Sequence, residues 1–561
     1  MLLATTFGDH YHEPVNPRRN PPPHQPLWAT ACPSRLPGKG QSCQRRVGLG
    51  ILLGLSVVLG SLQNESSAEA YPYAALRVAD LVLSGPTDGS LGAIHFNPAA
   101  IRLASGSQIM AVGGLDGFLG SYQRRDLLPP GFAPGQQQAQ VAEPTRISWM
   151  NPKGLVAASW DLRTDSVTLA FGLYTPQMDF TDYSGSGIGA RADLASPTLQ
   201  ALTTRYHVVK SETYSLWGNL SVGLRLRPWV YLGGGFNFAY TRQRSLFFRD
   251  LDPRVADDYS CAPGQGGAAC EQWNDRMSVE TDVGGWGYGF TAGALFVPLE
   301  NRLWLGLSYV SPLFTNRGAE VQLDGIPTQQ PWLPGDPCGG FATGARLTRR
   351  DAPPVCGTAR AVMAFPHLVY LSGRGRIALS SSSRFSPTAI EITSWARVNV
   401  PPRTSPVSTV DLYLERRVFP QSLLPLPLSQ RPALAITWGL RQIWPRLTLG
   451  QELLYESPRA EDSAVSPANL EGHKLDVSLA ARLRVHKRLS VLLSVGVTYV
   501  FFSEQAGERY NAGQAATCRD SLYDISASAC AETQAGFAVP TAQGSYSLVI
   551  PHGVTGLEFN L

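Results

Sequence analysis

Residues 214–241 alternate between apolar and polar side chains over a longer span than a strand of a soluble protein uses. Successive side chains of a strand point to opposite faces. Tyr214, Leu216, Gly218, Leu220, Val222, Leu224 and Leu226 therefore share one face, and Ser215, Trp217, Asn219, Ser221, Gly223, Arg225 and Arg227 the other. After a turn at Pro228 the pattern resumes, and residues 475–486 and 489–501 repeat it around a Lys487-Arg488 turn. Soluble strands run to about five or six residues, whereas a tilted strand crossing a bilayer needs about 9 to 11. Composition agrees, because charged residues make up only 16% of the chain against roughly 25% in ordinary globular domains. The fold class expected is all-β, an antiparallel transmembrane β-barrel.

Ten further segments read the same way: 108–122, 155–163, 166–175, 286–297, 303–311, 362–373, 389–398, 434–441, 447–455 and 546–561. With the four above they make about 14 strands, an even number as single-chain bacterial barrels require. Residues 407–417 would make an odd count and are assigned to a loop. The links alternate between short and long, which puts the long ones on one side of a membrane. Cys261 and Cys270, Cys338 and Cys356, and Cys518 and Cys530 each fall within one long link. Three local disulfides facing an oxidising exterior explain these pairs, and their spacings match no zinc pattern.

An apolar run at 47–62 follows Arg45-Arg46 and leads to Ala68-Glu69-Ala70, as in a secretory signal peptide whose h-region and cleavage region span 47–70. Residues 1–46 read as a non-structural leader or a misassigned start, and residues 107–561 as the barrel. Residues 1–70 carry six Lys/Arg against four Asp/Glu, half of the whole chain's +4, so nothing points to a nucleic-acid partner. Export and alternation together imply an outer-membrane location, outer-membrane lipid around the wall and the barrel assembly machinery as a partner in biogenesis, with Leu557, Phe559 and Leu561 as the assembly signal.

Just before the first strand lies Gly92-Ala93-Ile94-His95-Phe96-Asn97-Pro98-Ala99-Ala100-Ile101, and here the sequence resembles the FadL/TodX family of outer-membrane transporters for long-chain fatty acids and other hydrophobic compounds. Residues 169–176 are similar to the family's third strand, 285–312 to a central hairpin and 463–502 to the penultimate region. The resemblance implies a barrel of fourteen strands closed by an N-terminal hatch, here 71–106, with Asn97, Pro98 and Ala99 as hatch residues. It implies capture of a hydrophobic small molecule near the outer loops, passage to a lumenal pocket and lateral exit past a defect in the third strand. Gly172 is the bend candidate there, or an ordinary strand glycine. For a carboxylate ligand the basic residues on the polar face, Arg225, Arg482 and Arg484, are the head-group candidates.

No cofactor or metal is implied. An enzyme on a barrel wall needs a nucleophile, a base and an orienting group within reach of one another, and His95, His207, His367, His473, His486 and His552 are scattered through the sequence without a catalytic motif. Two functions stay open: passive uptake of hydrophobic molecules, and surface interaction or adhesion through the cysteine-bearing loops.

Overall fold

In a computed structural model of the chain, one antiparallel sheet closes on itself. The structure describes residues 84–126 except 105, 140–185 except 142–143, 202–250 except 206, 276–324 except 301, 355–379 except 365, 386–400, 409–411, 423–425, 431–503 except 460–461 and 463–464, and 542–561. The proposed leader and signal peptide lie outside these residues, as do residues 71–83 and Cys261, Cys270, Cys338, Cys518 and Cys530.

Fourteen strands form the wall. They are β1 (Gln108–Asp126), β2 (Thr145–Trp160), β3 (Val167–Asp182), β4 (Lys210–Arg227), β5 (Val230–Asp250), β6 (Arg276–Leu299) and β7 (Leu303–Val310, continued by Phe314–Asp324). The second half comprises β8 (Val355–Ala364, then His367–Ala378), β9 (Ala389–Val400), β10 (Ala433–Ile443), β11 (Leu447–Glu456), β12 (His473–His486), β13 (Leu489–Phe501) and β14 (Gly544–Asn560). Each pairs with its sequence neighbour, and β1 closes the ring on β14 from Gln108–Asn560 to Arg124–Gly544. Short turns and both ends of the wall share one rim, the turn end, where the Leu561 N–H donates to the Ser107 carbonyl at 2.9 Å. The opposite rim is the loop end.

All fourteen expected strands are present, and the loop assignment of 407–417 holds for its described part. Among the described residues, Thr409–Asp411 pairs with Leu423–Pro425 and with the Val355–Ala364 extension of β8. The backbone of Cys356 lies in that extension rather than in a loop. One boundary differs: β2 ends at Trp160, and Leu162 and Arg163 turn the chain with positive φ angles of 52° and 53°.

The alternation sorts side chains as the sequence implies. Leu216 and Leu220 are 49% and 58% exposed on the outer face, whereas Trp217 and Asn219 between them are 1% and 0% exposed. Exposed aromatic residues edge the outer face, with Trp160 and Trp229 toward the turn end and Tyr240, Trp286 and Tyr499 farther up. From Trp229 to Tyr240 a strand climbs about 36 Å, or about 26 Å at a tilt of about 45°. That matches the apolar band of about 25 Å expected of an outer-membrane barrel.

Candidate functional site

The lumen is layered, and β1 displays the layers in order. Its inward residues from the turn end are Met110, Val112, Asp116, Phe118 and Tyr122, and β14 answers with Val554, His552, Ile550 and Leu548. An apolar layer thus lies below a polar belt, and a second apolar layer lies above it.

Residues 84–104 occupy the lower layer. They form a helical turn, α1 (Ala93–Phe96), and a 3₁₀ turn (Pro98–Leu103), with nearly every side chain buried. Asn97 joins the two. Its Oδ1 accepts the Ala99 N–H at 3.1 Å, which makes it the N-cap, and Pro98 follows in the first helical position, where a missing N–H leaves nothing unmade. The Asn97 Nδ2 donates to the Ala294 carbonyl at 3.2 Å, and the Ser308 hydroxyl donates to the Phe96 carbonyl at 2.5 Å, so the wall grips the segment at its bend.

Space for that bend comes from a transverse row of glycines. Gly223, Gly233 and Gly293 are register partners across β4, β5 and β6. A Cβ on Gly233 would collide with Pro98 and Ala99, one on Gly293 with the Asn97 side chain, and one on Gly223 would sit 3.0 Å from the Pro98 carbonyl oxygen. Sequence reading missed this row, because a glycine in a strand carries no sign of what it faces. The rung became visible only through the register. The expected site residues Asn97, Pro98 and Ala99 are therefore brought together on one seat.

His95 is buried beside the segment's aromatic neighbours, with Nδ1 3.1 Å from the Tyr174 hydroxyl. Burial, with Arg397 nearby, pushes its imidazole down to about 3, so it stays neutral. Phe96 meets Tyr370 edge-on with centroids 5.6 Å apart.

Gly172 also belongs to this seat, since a Cβ there would collide with Ile94. It lies within regular pairing to both neighbours, Ala157 and Asn219. The irregularity of β3 falls further on, between Tyr174 and Gln177, at Thr175-Pro176. At the same height β2 and β3 part company. Their backbones pair from Trp160–Leu169 to Leu155–Tyr174 and no further, although both strands continue. Side chains span the gap instead. The Thr175 hydroxyl accepts the Gly154 N–H at 2.8 Å, and Asn151 receives the Phe180 N–H at 3.0 Å while donating to Asp179 at 3.1 Å. Because the Gly154 N–H points toward β3, the nitrogen of Pro152 two residues earlier points there too, so its missing donor costs no ladder bond. The two prolines, Pro152 and Pro176, are the sequence signal for this seam.

The polar belt adjoins the seam. It surrounds a cavity of about 80 Å³, with Asp116, Asp179, Asp476, Lys474 and His552 in its lining and Phe118 and Trp149 on its apolar side. Asp116 pairs with Lys153, and the His552 Nε2 lies 2.7 Å from Asp476 Oδ2. Below the loop end a buried ion network ties loop to wall. Arg397 meets Glu456 at 2.8 Å, and Lys474 lies 3.6 Å from Glu456 and 3.3 Å from Glu471, which also meets Arg459 at 3.3 Å. Charges this deep persist only when paired. Sequence reading missed the network, since its members come from three strands and the link after β11.

His552 is thus not an isolated strand residue. Ser478 donates to Asp476 at 2.6 Å and lies 3.4 Å from the same His552 nitrogen that Asp476 engages. A hydrolytic relay needs the hydroxyl on one imidazole nitrogen and the carboxylate on the other, so this arrangement is a polar cluster and not a triad.

The upper layer is built partly from links that fold inward. Leu202, Val208 and Val209 join Phe118, Ile147 and Leu548, and Tyr183 donates to the Pro467 carbonyl at 3.2 Å. Phe118 stacks on Trp149 with centroids 5.7 Å apart.

The three arginines lie near the turn end, away from the belt. Arg225 sits 5.9 Å from the Tyr231 ring centre, Arg482 pairs with Glu558, and Arg484 is exposed.

No family model matches the chain, and no curated protein matches it in sequence. Solved structures do match. A FadL homologue of Pseudomonas aeruginosa is 13% identical, with a TM-score of 0.57 over 89% of this chain and 100% of that one. The fold is FadL-like. The Pseudomonas putida toluene transporter TodX is 12% identical over 86% of this chain and 99% of that one, with a TM-score of 0.46. The Ralstonia pickettii toluene transporter TbuX is 10% identical over 86% and 100%, with a TM-score of 0.46. The fold assignment rests on the first of these. A FadL-like closed barrel of fourteen strands with a lipid-facing apolar band resides in an outer membrane.

Proposed function

We propose that the protein carries hydrophobic small molecules, such as long-chain fatty acids or aromatic hydrocarbons, across the outer membrane by passive diffusion. Residues 84–104 belong to the hatch, and the exit is lateral, through the seam between β2 and β3. The observation that carries this reading is the seam, where the backbone ladder stops above Leu155–Tyr174 beside a lumenal cavity. An apolar solute gains roughly 0.8 kcal/mol per CH₂ from apolar surroundings, so a route from an apolar lumen directly into lipid suits it better than an aqueous pore. The buried turn on the glycine row supports the hatch reading, because it fills the lower lumen that a general porin leaves open.

The test is uptake of radiolabelled oleate and toluene by a host lacking its own transporter for such compounds. Expression of the folded barrel is expected to restore uptake of at least one of them. Unchanged uptake across a panel of hydrophobic solutes overturns the reading.

A further inference from the structure

The charges around the belt cavity are unevenly matched. Asp116 is answered by Lys153, Asp476 by His552, and Glu471 by both Lys474 and Arg459. Lys474 is engaged in turn by Glu456. Asp179 differs. It accepts from Asn151 Nδ2 at 3.1 Å and from the Thr181 hydroxyl at 3.5 Å, both neutral groups, and no ion pair reaches it among the described residues. Both of these bonds fall on Oδ1, which leaves Oδ2 without a partner at the cavity and the seam together. On the apolar side of the cavity, the Trp149 indole N–H has no acceptor among the described residues.

We propose that this cavity receives the hydrogen-bond-donating end of an amphiphile, a hydroxyl or an amine on an apolar body, with Asp179 as its acceptor. This rests on the uptake reading and narrows it. The stacked Phe118–Trp149 pair and Leu548 form the apolar surface on which the body lies. A fatty-acid carboxylate is disfavoured here. The cations within the belt are held by carboxylates, so an entering anion finds no cation left over to offset the loss of its water. A donor head group instead gives Oδ2 the partner it lacks, and an amine brings with it the counter-charge that keeps a buried carboxylate ionised. Arg225, Arg482 and Arg484, the residues suited to a carboxylate, lie near the turn end.

The experiment is calorimetric binding of octylamine, octan-1-ol and octanoate to the full-length barrel in amphipol, for the native protein and for Asp179→Asn. Octylamine is expected to bind at least about tenfold more tightly than octanoate, the ratio that one charge-assisted hydrogen bond supplies, with octan-1-ol between them. Asp179→Asn should weaken octylamine about tenfold and octan-1-ol less, so that octylamine is no longer the tightest of the three. Octanoate binding as tightly as octan-1-ol, or an unchanged order in Asp179→Asn, overturns the inference while leaving hydrophobic uptake standing. Binding of none of the three to a folded barrel overturns both. Should the variant fail to fold, judged by heat-modifiable migration, the order measured on the native protein decides alone.

Discussion

Two stretches of the same wall are built to opposite ends. Between β5 and β6 the register runs without interruption from Val230–Phe296 to Asp250–Arg276, and on its inner face Asn219 donates to Asn237 at 2.6 Å, which donates to Thr291 at 2.8 Å. Between β2 and β3 only six register pairs hold, and side chains do the rest. Backbone ladders are cooperative and directional, whereas a side-chain bridge opens without disturbing its neighbours. The wall is fully laddered where it carries the glycine seat and bridged by side chains where it borders the belt.

The strongest test of this contrast is to lock the seam. Gly154 and Thr175 lie next above Leu155–Tyr174, with the Thr175 hydroxyl 2.8 Å from the Gly154 nitrogen, so Gly154→Cys/Thr175→Cys is the pair to cross-link. Oxidation is expected to lower uptake at least tenfold, and reduction to restore it; uptake indifferent to the redox state would separate the seam from the exit. Gly233→Val attacks the laddered side by forcing a side chain against Pro98 and Ala99. Overpacking of about 1–3 kcal/mol should unseat the segment while the barrel stays folded. Single-channel recording should then register new ion conductance, and a silent bilayer would contradict the seating. Asn237→Leu leaves the Asn219 and Thr291 groups without their partner, a cost of about 1–3 kcal/mol readable as earlier loss of heat-modifiable migration, with no new conductance. The smallest effect is expected at Pro152→Thr. Its missing donor faces the open seam, so stability should change by less than about 0.5 kcal/mol; a large gain would mean that the ladder had closed.

Alternation made the lipid-facing part of the strands legible and little else. The expected β5 stops near Tyr240 and the expected β6 begins at Trp286, yet the strands run on to Asp250 and back to Arg276. Beyond the bilayer no face is apolar, as in Arg242-Gln243-Arg244-Ser245, so the period-2 signal vanishes while the hydrogen-bond ladder persists. The upper half of β2, residues 145–154, was missed for the same reason, compounded by Pro152. Asn97-Pro98-Ala99 was singled out by resemblance, and Gly172 lies in the strand whose register is interrupted. The interruption itself fell three residues later, at Thr175-Pro176, because a bare Cβ marks what packs against a strand and a ring nitrogen marks where its ladder ends. The belt stayed hidden, since Asp116, Asp179, Asp476 and His552 are isolated polar letters until the ring closes.

The glycine seat also sets an order of events. Residues 84–104 leave the ribosome before any strand, but the surface that holds them is contributed by Gly223, Gly233, Gly293 and Ser308. The glycine row that receives Asn97, Pro98 and Ala99 does not exist until β4, β5 and β6 have paired. The first part of the described chain to be synthesised is thus among the last to find its seat, because that seat is made by strands that follow it in the sequence.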